Sequence, residues 1–244
     1  LEAIQKGLNN WNNLPEIERT LPKSFSKIIE HRWEDSFPID GLILKGAKAD
    51  LLTDPPKFSE RGSRWNREHV WFSKEEAKLW IPKNFNKGET QEIPDVIKDR
   101  LFRFHLVDNV RGQSLPFAPQ EIKRSNLQVE VTEVEKSDII FRITGNSLAV
   151  AKGPWLLGEN DWTPTNELDH SIETNILGKA VYNNNEEIFK EFELVVLGKW
   201  IGKTQNNGRR FGAENGNIGI IYNLAETINE NRIAPPFVDF YNAD

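Results

Sequence analysis

Leu127 to Thr144 reads LQVEVTEVEKSDIIFRIT. Leu127, Val129 and Val131 alternate with Gln128, Glu130 and Thr132. Lys136-Ser137-Asp138 then breaks the pattern, and Ile139, Phe141 and Ile143 resume it. Period-two alternation puts one row of side chains on each face of a strand, so two such runs across a short polar break spell an antiparallel hairpin. Further runs of the same kind follow. Leu168 to Tyr182 is one long or bulged strand interrupted by Gly178, Asn183 to Asn185 turns the chain, and Ile188 to Trp200 returns with Gly198 inside it. Ile218 to Leu224 is another strand and Phe237 to Tyr241 a last one. Glycines inside strong strand patterns mark bulges or tight bends, and Gly178 and Gly198 are placed to approach each other across their hairpin.

Strands joined by short turns favour a meander. The fold class expected is α+β, mainly antiparallel β, as a curved sheet, half-barrel or sandwich. A short-helix, loop-rich N-terminal third packs on it. Residues 1–244 form a single domain in this reading, with 1–99 helical and loop-rich and 100–244 antiparallel β. In the first part Leu1, Ile4, Leu8 and Trp11 share one helical face, and Pro22 to Trp33 carries Phe25, Ile28 and Ile29 at similar spacing. Gly41 to Lys45 is a short strand, and Asp50 to Gly62 a loop around Pro55-Pro56. Ser73-Lys-Glu-Glu76 is a capping box, opening a helix that Pro82 ends.

Composition narrows the function classes. The chain has 244 residues, a net charge of -6, no cysteine and no methionine. Disulfides, thiol nucleophiles and thiolate metal sites are therefore excluded. The acidic balance argues against nucleic acid as a partner, and a mean hydropathy of -0.57 with no long apolar run argues against a transmembrane segment. Twenty-four asparagines form no glycosylation sequon. The chain does not begin with methionine, and the expectation drawn is an exported bacterial protein, periplasmic or extracellular.

Two stretches concentrate chemistry. Arg61 to Phe72 (RGSRWNREHVWF) and Arg100 to Gly112 (RLFRFHLVDNVRG) hold Arg61, Arg64, Arg67, Arg100, Arg103 and Arg111, two of the four histidines, and five aromatics. Guanidiniums beside aromatic rings can grip an anion or a polar ring. They can equally form an ion-pair lattice with Glu68 and Asp108. If Arg64 to Phe72 is extended, Trp65, Arg67, His69 and Trp71 share one face. Leu101 to Asp108 alternates as a strand, with Arg103 and His105 together on one side and Asp108 and Arg111 at its end. The ligand-binding candidates are thus Arg64, Trp65, Arg67, His69, Trp71, Arg103, His105, Asp108 and Arg111, able to line one pocket if the two strands are neighbours.

No serine elbow, dinucleotide fingerprint, phosphate loop or HExxH pattern is present. The glycine-rich stretch Gly208 to Gly219 reads as a loop, with Arg209 and Arg210 exposed. No catalytic residue, metal or cofactor is expected. The reading adopted is a non-catalytic ligand-binding or cell-envelope protein with an Arg/His/Trp-lined site, its ligand a small molecule or saccharide. The alternative is a hydrolase of carbohydrate or ester, with His105, Asp108 and a carboxylate such as Glu68 doing acid–base work.

Overall fold

The structure, a computed structural model, describes residues 2–20, 33–51, 65–114, 116–152, 169–202, 207–209, 215–226 and 231–241. Contacts divide the chain into two compact units, Leu1–Ser36 and Phe37–Asp244. The first contains helices α1 (Glu2–Asn13) and α2 (Glu16–Arg19) and a short 3-10 turn, Trp33–Ser36. The expected apolar stripe of α1 is formed, and Ile4, Leu8 and Trp11 on it are exposed. The helix read over Pro22 to Trp33 falls almost wholly outside the described residues, as does most of the Asp50–Gly62 loop; of the stretch Gly208 to Gly219 read as a loop, 210–214 lie outside them and 215–219 are strand.

The second unit is built on eight strands: β1 (Leu42–Leu51), β2 (Trp65–Phe72), β3 (Thr90–Glu92), β4 (Ile122–Glu135), β5 (Asp138–Ala151), β6 (His170–Asn183), β7 (Ile188–Gly202) and β8 (Asn215–Leu224). They form one open sheet in the order β2-β1-β8-β7-β6-β5-β4-β3, with every pairing antiparallel. The hairpin around Lys136 pairs Val129 with Ile143 and Val131 with Phe141, as the alternation requires. Its turn places Lys136 at φ 56, and the next hairpin does the same with Glu187 at φ 55.

The sheet is curled. Its inward face carries Val129, Phe141, Ile176, Leu194, Ile220 and Leu44, all in one core that also contains Trp80, Ile93, Ile97, Leu101 and Phe102. Gly178 belongs to that face because a Cβ there would lie 2.4 Å from the Glu193 carbonyl oxygen and 2.5 Å from a Leu194 methyl. Gly178 pairs with Leu194 whereas Gly198 pairs with Thr174. The two glycines are therefore four residue pairs apart along the hairpin rather than opposed, and each leaves room for a neighbouring side chain, Leu194 at Gly178 and Ile218 at Gly198.

Ser73 caps α3 (Lys74–Lys78) with the expected reciprocal box: its hydroxyl accepts from the Glu76 amide and Glu76 accepts from the Ser73 amide. What fills the cup is α4 (Asp95–Asp99) continuing into a π-helical run, Arg100–His105. The Leu106 amide donates to the Leu101 carbonyl at 2.7 Å, five residues back.

That run corrects the expected strand over Leu101 to Asp108. Leu101, Phe102, Phe104, His105 and Leu106 are all buried. A segment enclosed by the sheet needs apolar groups on every side, so the polar face that would reveal a helix is missing and the residue pattern mimics alternation. The expected strand over Phe237 to Tyr241 is likewise a 3-10 turn, Val238–Phe240. Phe237, Phe240 and Tyr241 gather around Phe104 at ring separations of 6.0 to 6.4 Å, a helical rather than alternating use of that spacing. No helix among the described residues is long and apolar enough to cross a membrane.

Candidate functional site

β2 displays its residues as the extended reading requires. Asn66, Glu68, Val70 and Phe72 turn to the inward side and Trp65, Arg67, His69 and Trp71 to the outer one. Arg64 lies outside the described residues. Outside, the Arg67 guanidinium sits 4.7 Å above the exposed Trp65 ring. His69 is half-buried, its imidazole held below its usual pKa by that burial. Trp71 packs edge-on to Phe37 at 5.2 Å in a small cluster with Ile43 and Ala225. His105 is on the other side of the sheet, so the two candidate faces do not line one pocket. The residue of β2 that reaches His105 is Glu68, from the opposite face to the expected stripe.

Glu68 is the centre of a sealed network. Its Oε1 accepts from the Tyr222 hydroxyl at 2.6 Å and from His105 Nδ1 at 3.1 Å. Its Oε2 lies 2.9 Å from the Lys48 ammonium. Lys48 also donates to the His105 carbonyl, as does Tyr222. His105 Nε2 is 2.5 Å from the Tyr241 hydroxyl. Gly46 makes room for this: a Cβ there would lie 2.4 Å from the Tyr222 ring. The Lys48, Glu68 and His105 side chains are between 0% and 3% exposed.

Burial alone would raise the Glu68 carboxyl, but Lys48 and the hydrogen bonds from His105 and Tyr222 hold it at about 2. Burial lowers the Lys48 ammonium and the His105 imidazole despite their shared carboxylate, and raises the Tyr222 phenol. His105 is therefore neutral, donating from Nδ1 to Glu68 and accepting at Nε2 from Tyr241. Each strong donor and acceptor is already committed to another protein group.

A second lattice adjoins it. Arg209, 1% exposed in its side chain, gives two hydrogen bonds to Asp108 (2.9 and 2.6 Å) and two to Asp50 (2.9 and 2.7 Å). Arg111 Nε adds a bond to Asp50 at 2.6 Å, and the Arg209 guanidinium stacks 4.0 Å from the Trp200 ring. Burial works against the Arg209 charge, but the two carboxylates raise its pKa overall. Arg100 holds the Glu76 carboxylate with both terminal nitrogens, donates to the Trp71 carbonyl on the outermost strand, and stacks 4.1 Å from Tyr241. Arg103, at the side of the cup, donates to the Phe117 carbonyl at 2.9 Å. Bidentate pairs of this kind fix geometry as well as charge.

The sequence reading contained Asp108, Arg111, His105 and Glu68 but not Lys48, Asp50, Arg209, Tyr222 or Tyr241. One signal for the first two was present: Leu42, Leu44, Gly46, Lys48 and Asp50 fall on one face of a strand, so two charges continue an apolar row inward. Arg209, expected to be exposed on a loop, is instead buried, because Asp50 and Asp108 supply its counter-charge inside the protein.

A different place is open to ligand. A groove of about 460 Å³ lies where the ends of β1 and β8 meet α3 and the β6–β7 turn. Leu42, Ile81, Phe189 and Leu224 supply apolar lining, and Asp40, Glu186, Glu187 and Glu226 supply carboxylates. Asn183 fixes the turn: its Oδ1 accepts from the amides of Asn185 (3.1 Å) and Glu186 (2.9 Å), and its Nδ2 donates to Ser137 and Asp138. Among the described residues no three His, Asp or Glu side chains gather so as to hold a metal ion. No protein-family model, curated protein or solved structure matches this chain.

Proposed function

We propose that this chain is a non-catalytic ligand-binding protein whose arginine- and histidine-rich segments are scaffold, and whose ligand enters the groove between α3 and the β6–β7 turn. The observation that supports this is the sealing of His105. A general acid or base must reach a substrate proton directly or through one water, and His105 is buried with both ring nitrogens satisfied inside the protein. The same holds for Glu68, and Asp108 is committed to Arg209. This weighs against the carbohydrate or ester hydrolase that these residues would otherwise suggest. The groove has the volume of a small-molecule site and mixes apolar walls with a few charged groups. An exported or cell-envelope setting is part of the proposal, and fractionation of cells producing the full-length protein tests it.

A thermal-shift screen over small cations, anions and sugars, run beside chromogenic glycoside and ester assays, tests the functional reading. The expected result is a raised melting temperature with at least one ligand class and no turnover. Turnover that disappears in His105→Gln overturns it.

A further inference from the structure

The outer face of the sheet carries an apolar band where a solvent-facing surface is ordinarily polar. Leu177 on β6, Val195 on β7 and Ile221 on β8 stand directly opposite one another across three strands, and Leu197 lies beside them on β7. Leu177, Val195, Ile221 and Leu197 are 59%, 37%, 45% and 57% exposed. β7 and β6 are the two middle strands of the eight, so the band sits on the crest of the curled face. Scattered exposed apolar residues are ordinary, whereas a contiguous group points to an interaction surface.

Charged residues border the band, and their signs reverse from one border to the other. At one border Glu173 on β6 faces Lys199 on β7, and at the other Lys179 on β6 faces Glu193 on β7. Each strand thus carries opposite charges about 20 Å apart, at about 3.4 Å per residue. β4 repeats the reversal with Arg124 and Glu130 on the same two borders, and β8 has an asparagine at each, Asn217 and Asn223. Neither Lys199 nor Glu193 makes an ion pair among the described residues. Glu173 and Lys179 make exposed pairs with Arg124 and Glu191, which contribute little.

This pattern is complementary to itself. Lay two outer faces together about a two-fold axis that runs along the band, midway between its borders. Each strand then meets its own counterpart in reverse direction. Glu173 meets Lys179 of the second copy, Lys199 meets Glu193, Arg124 meets Glu130, and Val195 meets Leu197, each contact occurring twice.

We propose that the outer face of β5 to β8 is a self-pairing surface through which two copies of this chain associate. The surface is separate from the groove and independent of the ligand reading. Because the face curves away from its crest, contact is confined to about four strands and about seven residues of each, roughly 500 Å² per partner. A stable interface buries about 800 Å² per partner, so the dimer belongs to the weak, reversible class.

Sedimentation velocity of the full chain at low salt, from about 10 to about 500 µM, is expected to show a reversible shift from monomer to dimer. Lys199→Glu and Glu193→Lys should each weaken association about tenfold, since each turns two attractive pairs repulsive. Combining them should restore association to within about threefold of wild type. Nothing inside one chain explains such a rescue, because the two positions are about 20 Å apart on β7, too far to couple directly. The double change even places like charges beside Glu173 and Lys179 within each chain. Leu197→Glu, at an exposed position, should leave the melting temperature nearly unchanged and abolish the dimer. A monomer at every concentration overturns the proposal and leaves the band to a different partner. A dimer that survives Leu197→Glu, or a double charge variant no better than the singles, overturns this face as the contact.

Discussion

Replacing Glu68 with Gln keeps the shape and an acceptor for Tyr222 but removes the charge that Lys48 and His105 share. The folded Glu68 carboxyl titrates at about 2 against a usual 4.5. At about 1.36 kcal/mol per pH unit, this interval is worth about 3 kcal/mol. Because the folded value is the lower one, the contribution is complete above about pH 4.5 and is lost as pH falls toward 2. Glu68→Gln should therefore cost about 3–5 kcal/mol at neutral pH, since it strands a buried ammonium. The gap from wild type should then close by about 3 kcal/mol between about pH 5 and pH 2. Urea unfolding followed by fluorescence of the eight tryptophans at several pH values measures it. Adding Lys48→Met should recover much of the neutral-pH loss, as removing both members of a buried pair costs far less than removing one. Stability profiles of wild type and Glu68→Gln that run parallel from pH 5 to pH 2 would refute the reasoning.

Arg209→Met leaves Asp108 and much of Asp50 buried without their counter-charge, so a loss of about 3–5 kcal/mol is expected in the same unfolding assay. A loss below about 1 kcal/mol would mean that the lattice is open to water. Ser73→Ala removes one half of the capping box and should cost about 1 kcal/mol. Placing alanine at Gly46 pushes a methyl into the Tyr222 ring. It should both destabilise the protein and raise the Glu68 carboxyl by loosening the Tyr222 hydrogen bond, which the acid limb of the unfolding curve reports.

The sheet was legible because one of its faces is buried and the other is not. Leu127/Val129/Val131 and Ile139/Phe141/Ile143 alternate for that reason, and the register follows from the short turn at Lys136. The central helix was illegible for the opposite reason: Arg100 to Leu106 is enclosed almost on all sides, so burial left no polar face to give its period away. Side-chain direction on β2 was read correctly from alternation, but which strands neighbour it was not. Tertiary pairing decides that Glu68, rather than Arg67 or His69, meets His105. An ion-pair lattice of the two arginine-rich stretches with Glu68 and Asp108 was one of two readings left open, but none of the described arginines of those stretches pairs with either carboxylate. Their actual partners, Lys48 and Arg209, come from strands and loops far along the chain, and residue spacing cannot encode such contacts. The groove at the β6–β7 turn is assembled from four separate segments, and residue spacing within one of them says nothing of the others.

The claim that the His105 network is closed scaffold is tested most directly by the imidazole nitrogen signals of His105 in a long-range proton–nitrogen spectrum. With burial lowering its pKa and Glu68 fixing its Nδ1 proton, His105 should show one neutral tautomer, protonated at Nδ1, unchanged from about pH 8 to pH 5.5. A His105 that titrates near its usual 6.5 would contradict the account, because it would place that ring in contact with solvent and within reach of a substrate.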